Sequence, residues 1–192
     1  MKEIVLASAS PRRFELLRQI GLEFKVMPSA IEEIIENELM PEQIACNLAL
    51  IKAEDVAGRL NGDFVVIGAD TIVVCDTILG KPEDRESAFR MLQMLQGKWH
   101  EVITGVAVID CRTLKKESFY ERTRVKMRSM NDGMINAYIN TGEPMDKAGA
   151  YGIQGMGAVL VEKIDGCYFN VVGFPIMKFT QIAEGFGIKV LG

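Results

Sequence analysis

Apolar residues recur along this chain with two alternating periods, one suited to strands and one to helices. Residues 3–7 read as a short apolar strand, after which Ser10 is placed to cap a helix and Pro11 suits its first turn. Phe14, Leu17 and Ile20 then recur every third residue with Leu16 beside them, which predicts a helix as far as Gly21 with Arg12, Arg13 and Arg18 turned elsewhere. Residues 22–28 read as a second strand, and the stretch Ile31-Glu32-Glu33-Ile34-Ile35-Glu36 fits either a loop or a helix. From Pro41 to Leu60, the residues Ala45, Ala49, Ala53, Val56 and Leu60 share one helical face, closed by Asn61-Gly62, and Lys52 lies beside it.

The middle of the chain changes period. Residues 64–69 and 72–75 are β-branched and nearly unbroken, as strands buried on both faces are, and Asp70-Thr71 sits between them. Beyond Gly80-Lys81-Pro82, Ala88, Met91, Leu92 and Leu95 predict an amphipathic helix ended by Gly97, and residues 101–109 read as a strand. Over 119–128, Phe119, Glu121, Thr123, Val125 and Met127 alternate with Tyr120, Arg122, Arg124, Lys126 and Arg128, the pattern of a half-exposed antiparallel strand with a basic, solvated face. Residues 131–139 read as a helix, 158–163 and 168–172 as strands about an Asp165-Gly166 turn, and 175–186 as a last helix with Ile176, Phe179, Ile182, Ala183 and Phe186 inward. Strands and helices interleave, so the fold class is α/β with a partly antiparallel sheet. With neither a repeat nor a linker, one domain over 1–192 is the economical organisation.

Composition narrows the partners. The 192 residues are 48% hydrophobic and 25% charged, which is ordinary for a globular protein, and the formal charge is −4. Nothing global therefore recruits nucleic acid or an anionic membrane, and any polyanion must be held by a local basic cluster. No apolar run approaches the ~18 residues of a membrane span, and the apolar run of the opening residues is too short for a signal peptide, so a cytosolic location is expected. Cys46, Cys75, Cys111 and Cys167 are widely spaced beside one histidine, His100, which points to free, mostly buried thiols rather than a zinc set.

Six places could carry chemistry. In Ser8-Ala9-Ser10-Pro11-Arg12-Arg13, two arginines meet hydroxyls and N–H groups at a helix start, a composition suited to phosphate or to a solvated basic turn. Arginines there oppose the helix dipole, so a compensating anion would favour them. Asp70 is a carboxylate among about ten apolar residues and calls for a metal, a lysine or a substrate as partner, unless it merely caps a strand junction. Lys52 and Lys81 are candidates for phosphate contact or for ordinary solvation, and Glu33 is one of two adjacent acids able to ligate a hard divalent cation. Gly149 to Gly157 holds four glycines, so its backbone can approach a ligand closely or turn sharply; Tyr151 could stack on a base and Gln154 could read a base edge or a phosphate, or the stretch is a plain connection. His100 has no nucleophile motif beside it and reads as structural.

Taken together, Leu6-Ala7-Ser8-Ala9-Ser10-Pro11-Arg12-Arg13, Gly68-Ala69-Asp70-Thr71, Gly80-Lys81-Pro82, His100-Glu101-Val102-Ile103-Thr104-Gly105-Val106 and the run from Asp146 to Gly155 resemble the Maf family of septum-formation-inhibitor-like nucleoside triphosphate pyrophosphatases. The likeness is to the branch acting on dTTP and UTP rather than on 7-methyl-GTP. It implies an elongated mixed sheet with flanking helices, two lobes around a central cleft, similar to the inosine triphosphate pyrophosphatases. It also implies hydrolysis between the α and β phosphates with a divalent cation, Mg²⁺ or Mn²⁺, a house-cleaning role linked to cell division, and a homodimer as a common assembly. The family's proton acceptor falls on Asp70, and its further site positions on Ser8, Arg12, Arg13, Glu33, Lys52, Lys81 and Gln154. Arg12, Thr71 and Gln154 are the positions of base choice, and Glu33 with Asp70 those of the metal. Asp70 as base and Asp70 as chiefly a metal ligand are both open at this point. So are two rival readings, the same reaction on a purine triphosphate such as ITP, and a non-catalytic nucleotide-binding regulator of septum formation.

Overall fold

A computed structural model describes residues 2–31 and 39–191 of the protein. In chain order its strands are β1 (Glu3–Leu6), β2 (Lys25–Val26), β3 (Phe64–Cys75), β4 (Thr77–Leu79), β5 (Trp99–Asp110), β6 (Lys116–Met127) and β7 (Val161–Asp165). Its helices are α1 (Pro11–Gln19), α2 (Pro41–Ala57), α3 (Arg85–Leu95), α4 (Asp132–Ile139), α5 (Tyr168–Val172) and α6 (Ile176–Ala183). Among the described residues the strands form one seven-stranded sheet in the order β2-β1-β3-β5-β6-β7, with β4 paired to β3. The sheet is mixed: β1 runs parallel to both β2 and β3, whereas the β3/β4 and β6/β7 pairs are antiparallel. No helix among the described residues is long and apolar enough to cross a membrane; the four cysteines are free thiols, but Cys75 is the one that is buried, and Cys46, Cys111 and Cys167 are half-buried where mostly buried thiols are expected.

The chain divides into two compact units. Unit 1 comprises Met1–Asp70, Thr104–Glu121 and Gly173–Gly192. In it the alanine face of α2 packs on the sheet in a core of Val5, Ala7, Ala49, Ala53, Val56, Val66, Ala107 and Ile109. The face is built of alanine because the backbones come very close. A Cβ at Gly105 would stand 2.1 Å from the Ala45 carbonyl oxygen, and one at Gly68 would stand 2.2 Å from that of Ala49. The end of β5 is fastened by Asp110, whose Oδ2 accepts from Lys2 Nζ at 2.5 Å while Oδ1 accepts the Arg112 and Thr113 N–H groups at 2.9 Å.

Unit 2 comprises Thr71–Ile103 and Arg122–Val172. Its core joins Val73, Val102 and Val125 from the strands to Leu92 and Leu95 of α3 and Ile135 and Tyr138 of α4. Both helices start on side-chain caps: Asp84 accepts from Ser87 N at 2.7 Å, and Asn131 from Met134 N at 2.9 Å. These bonds satisfy N–H groups that have no partner inside the helix.

Several sequence expectations are corrected. The two apolar runs on either side of Asp70-Thr71 are one continuous strand, β3, so Asp70 is a strand residue and not a junction. The strand expected over 22–28 is ordered as β only at Lys25–Val26. Residues 168–172 form α5 in place of the expected strand, and the strand expected over 158–163 begins only at Val161, because residues 155–160 form a 3₁₀ turn. A short apolar run cannot fix its own period. At α5 tertiary hydrogen bonds decide it: the Asn170 amide donates to Val102 O at 3.0 Å and to Thr123 Oγ1 at 2.9 Å, and Cys167 N donates to the same hydroxyl at 3.0 Å. On α1, Phe14 is 36% exposed while Arg13 is buried, the reverse of the expected faces. Ser10 occupies the N-cap position with an extended backbone, but its side chain makes no capping bond.

Candidate active site

Unit 1 holds Ser8, Arg12, Arg13, Lys52 and Asp70. Pro11 begins α1, so Arg12 and Arg13 fall in its first turn, where the helix itself gains nothing from positive charge. Arg13 is locked inward: Nε donates to Gly173 O at 2.9 Å and one terminal nitrogen donates to Ser8 Oγ at 3.1 Å. Ser8 Oγ also accepts from Ser10 N at 3.2 Å. With both lone pairs engaged, the Ser8 hydroxyl is left with a proton to donate, the capability a phosphate oxygen needs. Arg12 is half-buried.

Asp70, at the last position of unit 1 on β3, is buried, and Lys52 of α2 donates from Nζ to its Oδ1. The two side chains are only 10% and 12% exposed. At that depth a lone carboxylate would be costly, and the ammonium offsets it. Both backbones are set by the same close packing: Gly68, two residues before Asp70, abuts Ala49 and Ala53, which flank Lys52 on α2.

Thr71, Lys81 and Gln154 belong to unit 2. Thr71 follows Asp70 on β3 and is half-buried, whereas Lys81 and Gln154 are exposed. The Lys81 turn and the glycine-rich stretch are tied together, since Gly149 N donates to Gly80 O at 3.0 Å. Sequence reasoning missed the two side chains that shape this stretch. Glu143 accepts from Met156 N at 2.8 Å and Gly157 N at 2.9 Å; Tyr138 Oη donates to Glu143 Oε1 at 2.9 Å and accepts from Gly152 N at 3.2 Å. Burial pushes the Glu143 carboxyl up, but the Gly157 and Met156 N–H groups, Tyr138 and Lys147 outweigh it and hold the carboxyl below its usual range. The glycines answer to this packing: a Cβ at Gly157 would lie 2.1 Å from Gly152 O and 2.7 Å from Tyr138 Oη. No signal in the sequence pattern marks Glu143, which stands in a polar turn before Pro144.

Tyr151 is buried and does not offer a stacking face; its hydroxyl meets His100 Nε2 at 2.7 Å and the rings cross edge to face. His100 Nδ1 has no hydrogen-bond partner among the described residues. A proton on Nε2, donated to Tyr151, leaves only a bare lone pair at Nδ1, which costs less than an orphaned N–H. Burial pushes the imidazole down to about 4, so it is neutral at neutral pH. Between 6.5, its ordinary value, and 4 the unfolded chain takes up a proton that the folded chain does not, so stability falls as pH drops through that window. Urea unfolding should show the wild type losing roughly 1.5 kcal/mol more than His100→Gln between pH 6.5 and 5. Parallel losses in the two proteins would contradict this role for His100.

The expected metal-facing residue Glu33 lies outside the described residues. Among the described residues, no group of three or more His, Cys, Asp and Glu is placed to hold a metal ion.

Residues 3–186 match the model of the family described as Maf-like protein. A protein of Alkaliphilus oremlandii named dTTP/UTP pyrophosphatase is 58% identical over 192 residues, covering 100% of both chains. A protein of Acetivibrio thermocellus with the same name is 52% identical over 197 residues, covering 100% of this chain and 98% of that one. Among solved structures, the Staphylococcus aureus Ham1 protein gives a TM-score of 0.45 at 17% identity over 83% of this chain and 80% of its own, too loose a likeness to inform the site. With a family match and relatives of this identity running along essentially its whole length, the chain belongs to the Maf family.

Proposed function

We propose that the protein is a nucleoside triphosphate pyrophosphatase that hydrolyses dTTP and UTP to the monophosphate and pyrophosphate, with a house-cleaning role. The observation that carries this reading is the buried Asp70 carboxylate paired with Lys52, in a chain 58% identical to a protein named for that activity. A triphosphate brings about four negative charges that must meet cations already in place, and Arg12, Lys52 and Lys81 supply them. Ser8, held by Arg13, donates its hydroxyl proton to a phosphate oxygen. Thr71, Gln154 and Arg12 select the base.

In the resting protein the Lys52 ammonium neutralises Asp70. As phosphate enters, Lys52 turns to it, and the freed carboxylate orients a water and takes its proton. The water oxygen bonds to the α phosphorus as the bond from that phosphorus to the bridging oxygen breaks, and pyrophosphate leaves on Lys52 and Lys81.

Mg²⁺ asks a protein for only one or two carboxylates and takes its other oxygens from phosphates and water, and Asp70 suits that demand. Asp70 and Glu33 are the residues that would hold the cation, which when bound supplies neutralisation of phosphate charge.

The test is product analysis after incubation with dTTP, UTP, CTP, ITP and 7-methyl-GTP, with Mg²⁺ or Mn²⁺. Fastest turnover of dTTP and UTP, giving monophosphate and pyrophosphate, is the expected result. Release of dTDP and inorganic phosphate would overturn the bond assignment, and a clear preference for ITP would overturn the base assignment. Bound dTTP without turnover would make the protein a non-catalytic regulator.

A further inference from the structure

Gln154 is exposed, and its side chain makes no hydrogen bond among the described residues, while Gly152, Gly155 and Gly157 stand beside it in the chain. An amide that discriminates between bases by hydrogen bonding must be held in direction as well as in place. The backbone on both sides of Gln154 is held by one pair of side chains. Before it, Gly152 N donates to Tyr138 Oη at 3.2 Å. After it, Met156 N and Gly157 N donate to the two oxygens of Glu143 at 2.8 and 2.9 Å, and Tyr138 closes the clasp by donating to Glu143 at 2.9 Å. Lys147 steadies the turn that carries Glu143, donating to Glu143 O at 2.5 Å and Asp146 Oδ1 at 2.6 Å.

We propose that Glu143 is a positioning residue for base selection: through its clasp on Met156 and Gly157, assisted by Tyr138, it fixes the direction in which Gln154 meets the base. The proposal deepens, and rests on, the reading of Gln154 as a base-selecting residue. Glu143 does not touch the nucleotide, and its effect passes through Gln154 alone. The carboxylate suits the task because both oxygens accept from backbone donors; an amide of the same size would present an NH₂ group to one of those N–H groups.

The experiment compares wild type, Glu143→Gln, Gln154→Ala and the double variant in steady-state hydrolysis of dTTP and CTP, with backbone hydrogen exchange at Met156 and Gly157. Loss of a charge-assisted hydrogen bond in Glu143→Gln should raise KM for dTTP about tenfold, change kcat far less, and lower the dTTP-over-CTP preference about tenfold. Exchange at both amides should quicken. The double variant should discriminate no worse than Gln154→Ala, since the two residues act in series. If Glu143→Gln fails to fold, Tyr138→Phe decides, with a loss of about threefold in the same preference. A preference kept by the clasp variant but lost in Gln154→Ala overturns the role of Glu143 and leaves the reading of Gln154 standing. A preference kept in Gln154→Ala overturns that reading itself. A fall in kcat at constant KM, or additive losses in the double variant, also overturns the proposal.

Discussion

Asp70→Asn is expected to lower kcat for dTTP by about 10²–10⁴-fold, the range that a positioned general base contributes. The substitution keeps the shape of the side chain and an oxygen for Lys52, which donates to Oδ1 in the native protein, but it takes the charge from one side of a buried pair, so a melting curve must show the variant folded at the assay temperature. What it removes is the ability to accept a proton from water. It also removes a negative charge from a place assigned to a polyanion, so without added divalent cation, where the metal-holding role of Asp70 does not enter, dTTP should bind the Asn variant as tightly as wild type or more tightly. Calorimetric titration of the variant with dTTP, beside its kcat, separates the two effects. A variant with wild-type kcat would sink the base assignment, and one that loses binding while keeping kcat would make Asp70 a substrate-holding group. Lys52→Ala is the poorer probe, because it removes the whole hydrogen-bonding side chain that faces a carboxylate only 10% exposed, and breaking a buried pair from one side costs about 3–5 kcal/mol of stability.

What was legible in the sequence follows from what periodicity and chemical surprise can each report. Asp70 stood out because a carboxylate inside an apolar run demands a partner, and Lys52 is that partner. The alternation over 119–128 gave the burial of β6 correctly, since Phe119, Thr123, Val125 and Met127 are buried. Arg13 was misplaced because helical period assigns arginine outward, and only the fold supplies the Gly173 carbonyl and Ser8 hydroxyl that make its burial tolerable. The same holds for α5, where Asn170 reaches Val102 and Thr123, residues 68 and 47 positions away. Glu143 and Tyr138 were invisible for a related reason. Their meaning lies in backbone N–H groups at 152, 156 and 157, and a backbone donor looks the same in every residue but proline.

Gly105→Ala is expected to be the most destabilising single methyl addition in unit 1. Gly105 and Gly68 do not have positive φ, so strain in the backbone angle is not the cause. Space is: the new Cβ would stand 2.1 Å from the Ala45 oxygen, 2.3 Å from its carbonyl carbon and 2.6 Å from Cys46 N. All three are backbone atoms of α2, which cannot rotate away as a side-chain tip does, so the whole helix must retreat. Overpacking of this kind costs about 1–3 kcal/mol and more when backbone must move. In a chain of this size about 3 kcal/mol lowers Tm by roughly 10 °C. Because α2 carries Lys52, its retreat also draws the ammonium from Asp70, so Gly105→Ala should lose activity at temperatures where it is still folded. Gly58→Ala is the control: it lies at the end of α2 with helical angles, and the nearest atom to its new Cβ is 3.4 Å away. That variant should melt within a degree or two of wild type, since a surface substitution that meets no clash changes stability by about 0.5 kcal/mol or less. An unchanged Tm for Gly105→Ala would mean that α2 and β5 are not held in the close contact that places Lys52 on Asp70.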